Sequence, residues 1–278
     1  MSRIHSVDPA PAGLRRATPR GDLVRQILVT VAVAAALAGG FVGSGALGGR
    51  SVQETQGGAL GPSGSLLAPA GPAFMIWTPL YAGLVAYVVW QLLPSQRHDP
   101  RHRAAGWWIA AIAVLEGAWI LAAQLMPLWV TVAVMAGLVA VAYRAHRAAF
   151  ESRRRASAIG AVLLDGLTGA HLGWATAAGV ANAAAWIASL HLGGWAGDGA
   201  AVLALVLLCA AGIVVSARSA WSVAAPLAMA WGAAWIGVGR LAGEPESVPV
   251  GIVACAMAAL LAAVTVGMRL TLLRTHRA

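Results

Sequence analysis

The chain contains no lysine, few acidic residues and little charge of any kind. Its basic side chains are 19 arginines, set against 10 Asp and Glu, and charged residues make up only 10% of the 278 residues. Soluble domains carry about a quarter of their residues as charged side chains. Here 59% of the residues are hydrophobic, and the mean hydropathy is +0.75. This composition excludes a soluble enzyme and indicates an integral membrane protein.

Two further absences limit the chemistry that the chain can carry. Cys209 and Cys255 both fall inside apolar segments without the spacing of metal ligands, so we expect neither a disulfide nor a metal site. The sequence has no His-Glu-x-x-His pattern and no recognisable nucleophile motif. An intramembrane enzyme that uses Glu116, Asp165 and His171 is therefore the weakest alternative. We expect no enzymatic activity and no required cofactor.

Eight apolar segments are long enough to cross a bilayer, whose ~30 Å hydrocarbon core needs about 20 helical residues. They predict an all-α, polytopic transmembrane bundle of about eight helices. The segments are residues 23–47, 74–93, 106–125, 128–143, 159–192, 200–217, 221–239 and 250–270. The fifth would be ~51 Å long as a single helix. We therefore expect its first turns, which include Asp165, to lie at the membrane interface.

The arginines predict the orientation of these segments. All but two of the 19 lie in the amino-terminal arm or the first turn of the first segment, in the last turn of the last segment or beyond it, or in the connections after the second, fourth and sixth. The exceptions are Arg50 and Arg240. Because arginine-rich loops stay cytoplasmic, both termini should be cytoplasmic. The net charge of +9 is spread over short loops without interleaved aromatic residues, so anionic lipid headgroups explain it better than nucleic acid.

Composition also suggests a source and a location. A chain that uses arginine without lysine and is rich in alanine and glycine is typical of a GC-rich bacterial genome. We therefore expect a multi-pass protein of the bacterial plasma membrane.

Glycine marks two features near the amino terminus. Gly39, Gly40, Gly43, Gly45 and Gly49 recur at spacings that let helix backbones approach closely in lipid. Packing within the chain is the favoured interpretation, and a homodimer interface is the alternative. The connection at residues 49–72 is rich in glycine and proline and has almost no charge. It is either a lid over a pocket or a plain connector.

Polar and aromatic side chains at membrane depth are the candidate functional groups, because an ionisable side chain is costly there. Glu116 lies in the middle of the third segment, and we expect it to be a neutral acid that is hydrogen-bonded across helices. At 100° per residue, three segments each collect such side chains on one face. They are Trp77 and Tyr81 on the second segment, Glu116 and Trp119 on the third, and His171, Trp174, Asn182 and Trp186 on the fifth. Such faces are typical of a pocket for a flat amphipathic ligand.

These residues resemble those of the TspO/MBR family, the tryptophan-rich sensory or translocator proteins. The start of the second segment is similar to the family's second helix, in the run Pro72, Phe74, Trp77-Thr78 and Leu80-Tyr81. Trp119 resembles the family's Asn-x-x-Trp element, with Glu116 in place of the asparagine. In the fifth segment Trp174, Asn182 and Trp186 match the family's spacing, and His171 stands where the family has tyrosine. The resemblance covers about residues 23–192.

The resemblance implies a domain organisation. A cytoplasmic arm at residues 1–22 would precede a five-helix TspO/MBR-like bundle at 23–192, and three additional transmembrane helices would occupy 193–278.

The resemblance also implies a pocket for a porphyrin, another tetrapyrrole or a sterol, open toward the glycine- and proline-rich loop. Binding or sensing of such a ligand is the expected function, with the bilayer and a hydrophobic small molecule as partners. A small-molecule transporter is the alternative, although neither an internal repeat nor a pair of broken half-helices supports it. A cholesterol-type pattern at Leu138, Tyr143 and Arg147 adds little, because any cytoplasmic interface shows similar residues.

Overall fold

The computed structural model of the chain describes residues 19–46, 48–153 and 157–275, and it contains no β-strand over these ranges. Within these ranges lie eight long helices: α1 (Pro19–Gly43), α2 (Trp77–Leu92), α3 (Pro100–Leu125), α4 (Leu128–Glu151), α5 (Leu167–Ser189), α6 (Asp198–Arg218), α7 (Ala224–Ala242) and α8 (Val248–Thr275). The predicted all-α bundle is thereby confirmed. Most of the predicted arm at 1–22 lies outside the described residues, as do Leu47, Arg154, Arg155 and Arg277.

Six of the eight helices are long and apolar enough, by length and composition, to cross a membrane: α1, α2, α3, α4, α6 and α8. The other two, α5 and α7, carry polar side chains along their length, His171 and Asn182 in α5 and Arg240 in α7. They occupy the centre of the bundle, where α5 packs against α4 and α7, and α7 packs against α5 and α8. A helix surrounded by other helices needs few large apolar side chains, because it presents little surface to lipid.

Several helices differ in length from their apolar segments. α1 ends at Gly43, α3 begins at Pro100, and α4 continues to Glu151. α3 gains its extra turns because Asp99 caps it, accepting a hydrogen bond from the Arg101 backbone N–H at 2.7 Å. Such turns carry charged residues, so hydropathy alone does not reveal them. The predicted fifth segment is divided, with Ala161–Gly166 forming a π-helical stretch before α5.

Hydrogen bonds join the arginine-bearing elements at one face of the bundle. Arg103 donates to both carboxylate oxygens of Asp22 at the start of α1, at 2.8 and 2.6 Å. Arg101 and Arg153 both bind Asp165, which links the start of α3 and the end of α4 to the π-helical stretch. These contacts agree with the predicted grouping of the arginines on one side.

Small residues let α5 and α7 approach closely. A Cβ added to Gly173 would lie 2.0 Å from the backbone oxygen of Ala225, and one added to Gly232 would lie 2.7 Å from the Cβ of Ala177. Gly169, Gly173 and Ala177 are spaced four residues apart, so they form one narrow stripe along α5. This close contact joins the last three helices to the first five.

Gly173→Ala should therefore force α5 and α7 apart and destabilise the bundle by about 1 to 3 kcal/mol, the usual cost of overpacking. Thermal unfolding of the purified protein in detergent measures the effect. Gly137→Ala is the matched control, since a Cβ there meets nothing within 4 Å. Because alanine favours helix over glycine by up to ~1 kcal/mol, the control should unfold at the same temperature or higher. Equal melting of the two variants would contradict the close packing.

Candidate ligand-binding site

A cleft of about 700 Å³ lies between α1, α2 and α3. Pockets of about 300 to 1,000 Å³ are typical for small-molecule ligands. The cleft forms because α2 packs only lightly against its neighbours, whereas α3 packs closely against α1 and α4. Phe41 on α1 and Thr78 on α2 line it and are exposed. The cleft therefore opens between these two helices.

Aromatic side chains form one wall of the cleft. Trp77 stacks on Tyr81 with ring centroids 5.3 Å apart and an interplanar angle of 23°. Trp174 packs edge-on against Trp77 at 6.1 Å and against Phe74 at 6.0 Å. The Trp174 contact supports the Trp77 ring from the side of α5. The wall offers flat apolar area with the Tyr81 hydroxyl as a polar group.

Gly40 makes room for this wall. A Cβ added there would lie 3.0 Å from the Tyr81 ring, so the tyrosine rests directly on the backbone of α1. Gly39 and Gly43 face α3 in the same way, against Gly117 and Ile120. Three of the five glycines noted in the sequence therefore pack within the chain.

Glu116 on α3 reaches the cleft and is only 2% exposed. Its Oε1 lies 3.2 Å from Nε2 of His171 on α5, which is 3% exposed. His171 Nδ1 lies 2.9 Å from the Leu167 carbonyl oxygen. A carbonyl only accepts hydrogen bonds, so Nδ1 carries a proton and Nε2 faces the carboxyl. The structure thus pairs two of the predicted site residues across helices, while the protonation state of Glu116 stays a prediction.

A second, much smaller cavity of about 40 Å³ lies deeper, between α3, α5 and α7. It has room for a few water molecules only, since one water needs about 10 to 15 Å³. Trp119 and Trp77 line both cavities, whereas Trp174 and Asn182 line only the small one. Trp119 Nε1 donates to Asn182 Oδ1 at 3.1 Å, and this bond fixes the indole.

The connection between α1 and α2 is an ordered cap over both cavities. Val52 is buried against Trp119, and residues 51–53 line the cleft. Gln56 donates to the backbone oxygens of Ala123 and Met126 at 3.0 and 2.6 Å. This anchoring shows that the segment is more than a plain connector, and whether it opens as a lid stays a prediction.

Arg240 on α7 holds the middle of the cap. Its side chain is fully buried and donates to four backbone oxygens, those of Pro62, Ser65, Glu244 and Pro245, at 2.8 to 3.1 Å. The sequence showed Arg240 only as an exception to the arginine pattern. That exception was the sequence signal for its structural role, because a cation on the side of the membrane opposite the other arginines needs partners within the protein.

A family model described as TSPO-like protein matches residues 26–267. The chain belongs to the TSPO-like family. This membership confirms the resemblance that Trp77, Trp119, Trp174 and Asn182 suggested. The match also includes the last three helices, so the domain boundary at 192 stays a prediction. Comparisons with curated proteins and with solved structures gave no significant match.

In this TSPO-like chain the eight predicted site residues separate into three groups. Trp77, Tyr81, Glu116 and Trp119 line the large cleft. His171, Trp174 and Asn182 lie behind it and hold its walls in place. Trp186 is half-buried and is not among the residues that line either cavity. Over the described ranges, no group of three His, Cys, Asp or Glu side chains could hold a metal ion.

Proposed function

We propose that this TSPO-like membrane protein binds a flat amphipathic molecule, such as a tetrapyrrole, in the cleft between α1, α2 and α3. The observation that carries the proposal is the cleft of about 700 Å³, which is lined by the Glu116 carboxyl and by five aromatic side chains: Phe41, Phe74, Trp77, Tyr81 and Trp119. Flat rings gain stacking area on such walls, and the few polar groups orient them.

The small cavity does not compete for this role. A tetrapyrrole cannot enter about 40 Å³, and the Asn182 amide is already used by Trp119 and by the Ala178 carbonyl. The ligand therefore lies on the α1 side of Trp119, and the fifth helix contributes through the side chains that support the wall. Entry between Phe41 and Thr78 suits a molecule that arrives from the bilayer.

Protoporphyrin IX titrated into the purified protein should quench tryptophan fluorescence in a saturable way. Tyr81→Ala should weaken binding about tenfold, or about 1.4 kcal/mol, because it removes a stacking ring and a hydroxyl. Tyr143→Ala makes the same change at an exposed tyrosine near the arginine-rich face and should leave the affinity unchanged.

Tyr143 also belongs to the cholesterol-type pattern, so the control separates two sites. Unsaturable quenching would overturn the proposed function. Equal weakening by the two tyrosine variants would remove the cleft as the binding site. A cholesterol titration that is sensitive to Tyr143→Ala alone would favour sterol binding at the other end of α4.

A further inference from the structure

Any charge that the described lining residues of the cleft carry is negative. Among the described lining residues Glu116 is the only one with a charged side chain, and none is Arg, Lys or His. Its Oε2 is buried and makes no hydrogen bond in the described part of the chain. A buried carboxyl oxygen without a partner costs free energy. A ligand group that donates a hydrogen bond or carries positive charge would remove this cost.

Glu116 Oε1 and His171 Nε2 face each other at 3.2 Å in the buried interior. Since Nδ1 of His171 is protonated toward Leu167, two arrangements leave the pair without net charge. Either a protonated Glu116 faces a neutral imidazole, or a carboxylate faces an imidazolium. Both avoid an uncompensated charge in the low-dielectric interior, and both contain the same dissociable proton.

Few other titratable groups face this pair. Tyr81 on α2 lines the same cleft. In the cap, Glu54 is exposed and accepts a hydrogen bond from the Ser51 backbone N–H. The residues with which α1 lines the cleft are Leu37, Gly40, Phe41, Gly43 and Ser44, none of them titratable. The charged and histidine side chains of α1 and α4 lie toward the arginine-rich end: Arg20, Asp22, Arg25, Arg144, His146, Arg147 and Glu151.

We propose that the cleft selects flat aromatic cations, and that binding of the cation releases one proton from the Glu116–His171 pair. The inference rests on the proposed function and adds a charge preference to it: protoporphyrin, which carries two propionate carboxylates, should bind the same cleft more weakly than a flat cation. In the free protein the pair is neutral and holds the proton. A cation that enters pairs with the Glu116 carboxylate, His171 returns to its neutral form with Nδ1 protonated, and the displaced proton leaves to solvent. The charge of the site is the same before and after the exchange.

Aromatic walls favour the same ligand. A cation within about 6 Å of the face of Trp or Tyr gains roughly 0.5 to 2 kcal/mol from the ring quadrupole. Trp77 and Tyr81 present stacked rings to the cleft that Glu116 lines. The rings are therefore complementary in shape to a flat ligand. The rings and the carboxyl together are complementary to its positive charge.

The test compares two flat probes of the same ring system in nanodiscs of zwitterionic lipid. Ethidium is a permanent cation, and phenanthridine is neutral at pH 7 and above, so both probes keep their charge between pH 7 and 8.5. Ethidium should bind at least tenfold more tightly at pH 7. Its affinity should rise about tenfold per pH unit, because one proton leaves for each cation bound. Phenanthridine affinity should not depend on pH.

Proton release can be measured directly on the unaltered chain, which avoids any question of folding. In weak buffer, ethidium should release about one proton per bound molecule, and phenanthridine none. Glu116→Gln should bring the affinities of the two probes to within threefold of each other and remove the pH dependence of ethidium binding. Glu54→Gln removes one acidic group of the cap outside the cleft lining, and it should keep both the cation preference and the pH dependence.

The outcomes separate the inference from the proposed function. Saturable binding of both probes with equal affinity, or ethidium binding without proton release, would overturn the inference and leave the binding function standing. If the cation preference survives in Glu116→Gln, the preference comes from the aromatic rings or the lipid. That result would also overturn the inference. If ethidium, phenanthridine and protoporphyrin all fail to saturate, the proposed function and the inference fall together.

Discussion

Asp165→Asn is expected to destabilise the bundle by about 3 to 5 kcal/mol, because it leaves two buried or half-buried arginines without their counter-charge. Asp165 is 3% exposed. One carboxylate oxygen accepts from Arg101 at 2.6 Å and the other from Arg153 at 2.9 Å. Arg101 also donates to the Ala149 backbone oxygen at 3.1 Å. A single carboxylate therefore joins α3, the end of α4 and the segment that leads into α5.

Thermal unfolding in detergent should show this loss as a fall of roughly 10 °C. Glu151→Gln is the control, because it removes the same charge from the same face at an exposed i,i+4 pair with Arg147, worth about 0.3 to 0.5 kcal/mol. Asp165→Asn combined with Arg101→Met should recover part of the loss, since it removes one unpaired cation. Similar melting of Asp165→Asn and Glu151→Gln would show that the buried carboxylate does not hold the three elements together.

Arg240→Met should cost about 3 kcal/mol, since four backbone oxygens lose a charged donor at once. Its effect should be concentrated in the cap. The backbone oxygens of Pro62 and Ser65 both accept from this side chain, and Ser65 accepts in addition only from the Ala68 backbone N–H in the described hydrogen-bond network. Their segment should therefore exchange amide hydrogens much faster. The cleft lining at residues 51–53 lies in the same connection. We therefore expect protoporphyrin to dissociate faster as well.

Arg50→Met is the matched control, because Arg50 is an exposed arginine of the same connection. It should change neither the melting temperature nor the hydrogen exchange of the cap. If Arg240→Met lowers the melting temperature but leaves cap exchange and ligand release unchanged, Arg240 stabilises α7 and does not anchor the cap.

The helical bundle was predictable because hydrocarbon imposes its own rule on the sequence. About 20 apolar residues are needed to span the core, and most of the eight segments are close to this length. The segments that correspond to α5 and α7 were predicted as well, because their alanine- and glycine-rich sequences differ from those of the charged loops. The ends were less predictable. α3 begins at Pro100, six residues before its predicted start at Gly106, because Asp99 caps it. Capping and helix extension take place outside the hydrocarbon.

The candidate site was predictable in its residues but not in its shape. Helical spacing shows that Trp77 and Tyr81 share a face, and it cannot show which neighbour that face meets. The structure places Tyr81 against α1, through Gly40, and Trp77 against α5, through Trp174. A stripe of glycines on a transmembrane helix predicts close approach. Only the folded chain shows that the approach leaves a cleft beside Tyr81.

Buried charge networks were the least predictable feature. Asp165, Arg101 and Arg153 come from three separate elements, and no spacing in the sequence relates them. The arginine pattern predicts the side of the membrane because loop charge decides topology. It carried no information on which arginines are buried, since that depends on how α3, α4 and α5 converge. Arg240 shows the same limit on the opposite side of the bundle.

The most direct test of the central claim is protection of the cleft by its ligand. Thr78→Cys, in a chain whose Cys209 and Cys255 are replaced by alanine, places a thiol at the exposed edge of the cleft. Saturating protoporphyrin should slow its alkylation at least tenfold. Thr271→Cys, at an exposed position of α8, should react at the same rate with and without ligand. Equal rates at Thr78→Cys with and without saturating ligand would contradict binding between α1, α2 and α3.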